Sequence, residues 1–518
     1  MVPLIVIGVY LAIVLYISIF AFSRGKTTGE DFFLASRTIG TLVFFLSLFA
    51  TNMTAFAILG SSGMAYKQGI GVFGLMASSS GFVIPMTLFF IGTRLWALGK
   101  KFGHMTQVQY FRDRWECSSI GTVIFLLSVA MLIPYMIISI MGGGRVLVEL
   151  SGGGGAAIIS KPIGCAIVAV TVTIIVFFGG MRGTVWVNIF QTILFLLFGL
   201  VAVWAISRNL DFGAIVSKMA EQPKTRALIT REGPAMNPWF FWSYTLVPLS
   251  SIMFPHMSIM CLSARKVSAF KKTVVVYPIA IMLIWLPCVF LGTIGSQVIK
   301  LEGNATDGIL LAMLREFSHS PLLAGILGAG IISAVMGSDC HQVLAVSTMF
   351  TKDIFSYYGG DKKYGEKGVV WFGRAFILII TVIAYIIALN TSENIFELAV
   401  RFAFSGFAAM SPVMVAALFW KRSTKWGALA STLVVGGMLA GGYVLSQKFK
   451  PGAIVWDWKI HGVPALSLNP LGDPRFFGMH SVVPMVLGSA VAMILISIIS
   501  PPPSRATIEK YFPAGGKI

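Results

Sequence analysis

Apolar residues along this chain gather into runs about as long as a bilayer is thick, separated by short polar connections. A spanning helix needs about 20 mostly apolar residues. Thirteen runs approach or exceed that length: residues 3–22, 41–63, 70–93, 117–141, 162–180, 184–206, 238–262, 273–298, 320–351, 370–390, 394–420, 425–446 and 479–500. The pattern predicts an all-α polytopic membrane protein. Within it, the segment from Gly330 to Phe355 carries Ser333, Gly337, Cys340, Ser347, Thr348 and Thr351 at helical spacing. Lipid offers no hydrogen-bond partner, so such a polar stripe must face protein or a water-filled cavity.

Two other runs are interrupted. The second contains ATNMTAFAILGSSG, with Thr51, Asn52 and Thr54 in mid-membrane; the seventh contains YTLVPLSSIMFPHM, where Pro248 and Pro255 bracket Ser250 and Ser251. A broken helix frees backbone carbonyls, and a spacing of five spans between two broken helices is what a five-plus-five inverted repeat requires. Carbonyl and hydroxyl oxygens are the ligands a hard cation prefers. Unwinding near Ala50 to Thr54 supplies carbonyls. On the ninth run Leu344, Ser347, Thr348 and Thr351 fall at i, i+3, i+4 and i+7 and share a face. Two carbonyls from the second run, one from the ninth and two hydroxyls would form a neutral five-oxygen cage. The alternative is that these hydroxyls only bond back to their own helix at a tight contact.

Composition agrees with a membrane protein: 518 residues, 56% hydrophobic, 11% charged. The net charge of +19 would suit nucleic acid, but its distribution reads otherwise. Alternate connections hold 24 Lys and Arg on the side of Arg24, Arg112, Arg265, Lys362 and Arg422, against 14 on the other. Basic loops stay cytoplasmic, so the C-terminus is expected inside and the N-terminus outside, and the basicity reports topology and anionic lipid. Arg24 and Lys26 follow the first apolar run, the reverse of a cleaved signal peptide. Cys117, Cys165, Cys261, Cys288 and Cys340 lie in or beside spans without C-x-x-C spacing and read as small core residues. Asp339, Cys340 and His341 are consecutive, and on a helix they point about 100° apart, so they do not close around one metal. No carboxylate pair or nucleophile with a base lies at mid-membrane, which argues against an enzyme. The connections 207–237 and 447–478, the latter containing WDWKIHGVP, are candidate lids or ordered surface loops.

The runs GEDFFLASRTIG (29–40), ATNMT, GGMRGTVWVNIFQ (179–191), AVMGSDCHQVLAVSTMFTKDIF and RFAFSGFAAMSPVMVAALFWKRS (401–423) together resemble the sodium:solute symporter family, that of the bacterial proline and pantothenate symporters and the sodium-glucose cotransporters. The resemblance implies a LeuT-like fold of about thirteen helices, with a five-plus-five repeat, one extra helix at the N-terminus and two at the C-terminus. The division it implies is 1–40 (first helix and cytoplasmic loop), 41–206 (first repeat), 207–237 (outer loop), 238–423 (second repeat), 424–500 (two added helices with loop 447–478) and 501–518 (cytoplasmic tail). The implied activity is sodium-driven uptake by alternating access in the cell membrane, with Na+ as coupling ion and no organic cofactor, nucleic acid or obligate protein partner.

Carried over by position, the family's sodium site falls on the carbonyls of Ala50, Met53 and Leu344 and the hydroxyls of Ser347 and Thr348. A second sodium site of some members, an Asp and a hydroxyl, falls on Asn188 and Phe350, which supply neither; this implies one sodium per cycle, with Asn188 able to orient the cavity by hydrogen bonding. Asn52, Thr54 and Ala57 match cavity-lining positions. Ala57 is small and apolar where sugar-binding relatives hydrogen-bond, so a monocarboxylate or amino acid is expected rather than a sugar. His256 is a candidate for an anionic substrate group or a packing residue, and Phe404, with Ser405, for an outer gate or for packing around Gly406. Glu397 and Arg401 sit at i and i+4 and are expected to pair, with Arg401 alternatively greeting a carboxylate. The rival readings are a transporter-like sensor module signalling to a separate partner, proton rather than sodium coupling, and a channel.

Overall fold

The computed structural model describes residues 1–23, 28–152, 157–230, 237–391, 395–460, 462–469 and 472–513. Arg24 and Lys26, used above for topology, lie outside the described residues.

Ten described helices are long and apolar enough to cross a membrane, and two bent helix pairs bring the number to twelve. The thirteen runs differ from this at one place. Residues 162–180 and 184–206 form one helical stretch, Lys161–Ser207, whose 47 residues are interrupted at Gly180 (φ 51, ψ −150). At 1.5 Å per residue this is about 70 Å of helix, twice a bilayer, so the thirteenth span would come from dividing it there. Gly180 is required at that turn: a Cβ would meet the Phe32 side chain and carbonyl at 2.8 Å.

Burial separates centre from rim. The windows of Pro321–Ser356 and Ile395–Phe419 are 78% buried, whereas Val2–Ala21, Lys425–Lys448 and Val482–Ile499 are at 22–28%. The small residues of the polar stripe let the Pro321–Met349 helix sit at the centre, packed against Lys161–Ser207, Ser118–Leu150 and Val2–Ser23. Its N-terminus is capped by Ser320, whose Oγ accepts from the Leu323 N–H at 3.3 Å.

The connection from Lys448 to Val482, read from sequence as a lid or surface loop, folds into four antiparallel strands: β1 (Ile454–Ile460), β2 (Val463–Leu468), β3 (Pro474–Phe476) and β4 (Met479–His480), in the order β1-β2-β3-β4. Ile460 pairs with Val463, Ser467 with Arg475, and Arg475 with His480. A hydropathy window of spanning length averages over strands this short. The membrane face carrying this sheet is called the sheet face. The opposite, tail face carries two short helices, Gln107–Arg114 and Arg505–Tyr511.

Candidate functional site

Both interrupted runs are bent helices. Thr41–Asn52 stops at Met53, whose φ of −93° and ψ of 117° are extended, and Phe56–Gln68 continues at 61° to it. Thr54 restarts the helix: its Oγ1 accepts from the Phe56 N–H at 3.1 Å and its carbonyl from the Ala57 N–H at 2.9 Å. Pro238–Met253 and Pro255–Ser263 meet at 53° around Phe254 (φ −58, ψ 122). Pro255 has no N–H and pushes the residue before it out of helical geometry, which accounts for that break.

The two breaks treat their freed carbonyls differently. At the second, Met253 O accepts from Gln107 Nε2 at 2.9 Å and Ile252 O from Ser258 Oγ at 2.6 Å. At the first, Thr51 O accepts from Ser338 Oγ at 2.8 Å. Among the described residues, no hydrogen bond reaches the carbonyl of Ala50 or of Met53. Buried carbonyls without a partner are costly, and so mark a place where a ligand or water is expected.

The residues opposite the first break are Gly337 and Ser338. A Cβ on Gly337 would lie 3.6 Å from Ala50 Cβ, 3.2 Å from Asn188 Oδ1 and 3.1 Å from Gln191 Oε1. Both amide oxygens are buried and lack a hydrogen-bond partner among the described residues. Asn188 Nδ2 lies 2.9 Å from His341 Nδ1, and Gln191 Nε2 donates to the Tyr10 hydroxyl at 2.8 Å. His341 Nε2 is 3.5 Å from Ser47 Oγ. These contacts fix the antiparallel register of the two helices, with Ser47 beside His341 and Thr51 beside Ser338.

That register separates the two halves of the expected cage. Ser347 and Thr348 lie ten residues beyond Gly337 and Ser338, about 15 Å along the helix. Ser347 Oγ donates to Gly373 O at 2.8 Å, and Thr348 Oγ1 donates to Leu344 O at 2.7 Å. The structure therefore brings Ala50 beside Gly337 and Thr51 beside Ser338, while Ser347 reaches Gly373 of the neighbouring helix Gly360–Asn390 and Thr348 bonds back to its own helix. Phe350 stacks on Phe376 at 4.1 Å, away from Asn188.

Between the breaks is a small cavity of about 30 Å³ whose walls include Asn52, Met53, Ala57, Ser250, Tyr244, Trp285 and Phe404. None of its lining residues is ionisable at neutral pH. Asn52 Nδ2 donates to the Tyr277 hydroxyl at 2.5 Å, which leaves its carbonyl as an acceptor. The Trp285 indole N–H has no partner among the described residues. Phe404 sits edge-on to Phe56 at 4.8 Å and to Tyr135 at 5.3 Å. Of the expected cavity residues, Asn52, Ala57 and Phe404 line it. Thr54 instead caps the helix restart, and His256 lies behind Phe254, stacked on it at 4.9 Å.

Arg401 reaches outside its helix. Its Nε lies 3.4 Å from Asp473 Oδ1 in the loop before β3, and Glu397, buried nearby, also faces Asp473. The expected i, i+4 partnership is thus replaced by docking of the sheet. His480 stacks near Phe240 at 4.4 Å and Tyr244 at 5.9 Å, and its N–H donates to Ser243 Oγ at 3.0 Å. Burial, with the Arg475 guanidinium beside it, holds the His480 imidazole well below its ordinary value.

Sequence reasoning passed over Ser338, Gln191, Trp285 and Tyr244. Gly337 belonged to the polar stripe, and Ser338 adjoins it, so a signal existed there. Nothing local distinguishes Trp285 from any other aromatic on an apolar helix.

Two bent helices around a cavity, with bare carbonyls at one bend facing a small-residue helix, define a membrane transporter of the LeuT-like kind. The same fold is seen in a Na+-coupled sialic acid symporter solved in a substrate-bound outward-open state, at a TM-score of 0.75 and 14% identity over 98% of this chain and 99% of that one. A nucleobase-cation-symport-1 family transporter in a closed conformation matches with a TM-score of 0.56 and 13% identity, over 93% of this chain and 97% of that one. The sequence profile of the sodium:solute symporter family matches residues 32–436, and the chain belongs to that family. Similar relatives include the sodium/pantothenate symporter of Haemophilus influenzae, 26% identical with 94% of each chain covered. Another is sodium/proline symporter 2 of Staphylococcus saprophyticus, 26% identical over 95% of this chain and 92% of that one. The protein is accordingly a multi-pass membrane transporter with Na+ as its coupling ion and a small solute as its cargo.

Proposed function

We propose that the protein couples the inward movement of one sodium per cycle to uptake of a small carboxylate-bearing solute, an amino acid or a monocarboxylate, by alternating access. In this reading residues 41–206 and 238–423 are the two inverted repeats, the sheet face is outside, the C-terminus is cytoplasmic, and Phe404 belongs to the outer gate. The ion site keeps the Ala50 and Met53 carbonyls and takes its helix-borne ligand from Ser338 rather than from Ser347 and Thr348. The observation that carries it is the pair of unbonded carbonyls at the Met53 break, where Ala50 lies against Gly337 and Thr51 against Ser338. The unpartnered oxygens of Asn188 and Gln191 beside Gly337 add neutral acceptors to the same neighbourhood.

The solute class follows from the cavity. Its walls hold no charge, so a carboxylate would find its positive partner in the sodium, with the free Trp285 N–H as a donor and the Asn52 carbonyl as an acceptor for an amine or hydroxyl. Relatives named for pantothenate and proline transport carry cargo with such carboxylates. A ligand that binds the folded state raises apparent stability. Thermal unfolding of the purified protein with proline, pantothenate, pyruvate and glucose, each with and without sodium, therefore tests the reading. Stabilisation by a carboxylate only when sodium is present is expected. Stabilisation by glucose alone, or by a carboxylate equally well without sodium, would overturn it.

A further inference from the structure

The sheet between Lys448 and Val482 has two sides, and the transport site uses only one of them. Asp473, Arg475 and His480 are buried against the helices around the cavity mouth. The opposite edge, β1, is almost wholly exposed: Ile454 at 53%, Trp456 at 60%, Trp458 at 57% and Ile460 at 41%. Trp456 and Trp458 lie 5.8 Å apart, and Trp458 meets Phe477 edge-on at 5.7 Å. The ridge continues onto the first turn of the Pro238–Ser243 helix, where Trp239 Cβ is 4.0 Å from the Cβ position of Gly478 and Trp242 is 70% exposed.

An exposed apolar ridge of this kind marks an interaction surface, and its position in the fold says with what. Pro474 Cγ lies 3.6 Å from the Cβ position of Gly442. Gly442 is six residues before the end of the spanning helix Lys425–Lys448, so β3 reaches about 9 Å below that helix end. This is the rim helix whose neighbouring Tyr443 and Val444 are 51% and 58% exposed on the lipid-facing surface. β3 is therefore level with the outer turns of a spanning helix, and the tryptophans lie on the exposed edge strand of the same small sheet, two strands away. Tryptophan favours that headgroup layer, where its ring is in a half-apolar medium and its N–H stays wet. The exposed Lys448 and Lys450 precede the sheet, and a lysine stem can carry its charge to lipid phosphate.

We propose that the Trp456–Trp458 edge of the sheet, with Trp239 and Trp242, inserts into the phospholipid headgroup layer and anchors the lid to the bilayer. The lid is then held on both sides: by lipid at the tryptophans, and by the Arg401–Asp473 pair and the His480 contact with Tyr244, a wall of the cavity. The occupant is the bilayer itself, and the proposal does not depend on the identity of the solute.

The test uses the full-length protein in nanodiscs of ordinary phosphatidylcholine and of phosphatidylcholine brominated near the top of the acyl chains, a contact quencher of indole emission. Trp456→Phe with Trp458→Phe keeps an aromatic ring at each position and removes the two indole emitters. The emission lost in this variant is expected to be blue-shifted and more strongly quenched by brominated lipid than the protein's average tryptophan. Lost emission that is water-like and insensitive to brominated lipid would overturn the proposal. So would emission that is shielded from lipid because two copies of the chain meet through this edge, seen as a doubled particle mass that the variant abolishes. A second arm, Trp456→Lys with Trp458→Lys, is expected to raise hydrogen exchange in residues 454–460 while sparing the spanning helices; unchanged exchange there would count against anchoring.

Discussion

The two broken helices differ in what fills the break. At Phe254 the freed carbonyls are met by the protein's own side chains, Gln107 and Ser258, while at Met53 the carbonyls of Ala50 and Met53 are left bare. The first arrangement is closed by the protein itself, and the second is where the proposed ion site falls. Gln107 belongs to the short helix Gln107–Arg114, which also reaches the central helix: Thr106 Oγ1 donates to Asp353 at 2.8 Å and Arg112 Nη1 to the Asp353 carbonyl at 3.0 Å. The tail helix is pinned to the same segment, because Lys510 at 2.6 Å and the Tyr511 hydroxyl both reach Asp113 Oδ2. Burial alone would raise the Asp113 pKa, but the hydrogen bonds from Lys510, Tyr511 and His104 outweigh it and hold the carboxyl below its ordinary value. The tail face is thus closed by a layered polar clamp, and the sheet face by aromatic contacts under a docked sheet.

The comparison breaks most easily at Gly337. Gly337→Val would drive side-chain atoms onto the Asn188 and Gln191 oxygens and Ala50, and sodium-dependent uptake is expected to fall more than about tenfold. Reconstituted vesicles would show it, and uptake near the original level would mean that the Met53 break has no ion opposite it. Gln107→Ala comes next. It strands the buried Met253 carbonyl at a cost of about 1–3 kcal/mol, which should appear as a lower unfolding temperature and faster exchange around residues 250–258, with sodium affinity little changed. Trp285→Phe removes one cavity donor; the solute concentration for half-maximal uptake should rise about fivefold, equivalent to about 1 kcal/mol, with the sodium requirement unmoved. The smallest effect concerns pH. An undocked sheet would protonate His480 near the ordinary value of about 6.5, and a docked one only well below it. The undocked form then binds more protons, so docking weakens as pH falls beneath about 6.5; hydrogen exchange of residues 474–480 should rise on acidification, and a fall would reverse the sign.

Both breaks were legible in the chain because Pro255 and the polar ATNMT run are local signals that a spanning helix rarely tolerates. Asn52, Ala57 and Phe404, three of the cavity residues, were also within reach. The ion's second wall was not. Small or hydroxyl residues at i, i+3 and i+4 recur on the central helix, at Gly330, Ser333 and Ala334 and again at Ala334, Gly337 and Ser338, and Ser347 with Thr348 forms a further hydroxyl pair. Periodicity identifies a face but not which turn of that face meets a given partner. The register comes from long-range packing of Gly337 on Ala50 and of His341 on Asn188, which no local pattern encodes. The sheet was hidden for a related reason, its strands being shorter than any window tuned to spanning helices.

The most direct measurement is a sodium titration of solute uptake in Ser338→Ala beside Ser347→Ala with Thr348→Ala. Losing one neutral oxygen ligand costs about 1.4 kcal/mol, or tenfold. Ser338→Ala is expected to raise the half-maximal sodium concentration about tenfold while the double variant leaves it nearly unchanged. The opposite pattern, a wild-type sodium requirement in Ser338→Ala and a large increase in the double variant, would contradict the placement of the ion at the Met53 break beside Ser338.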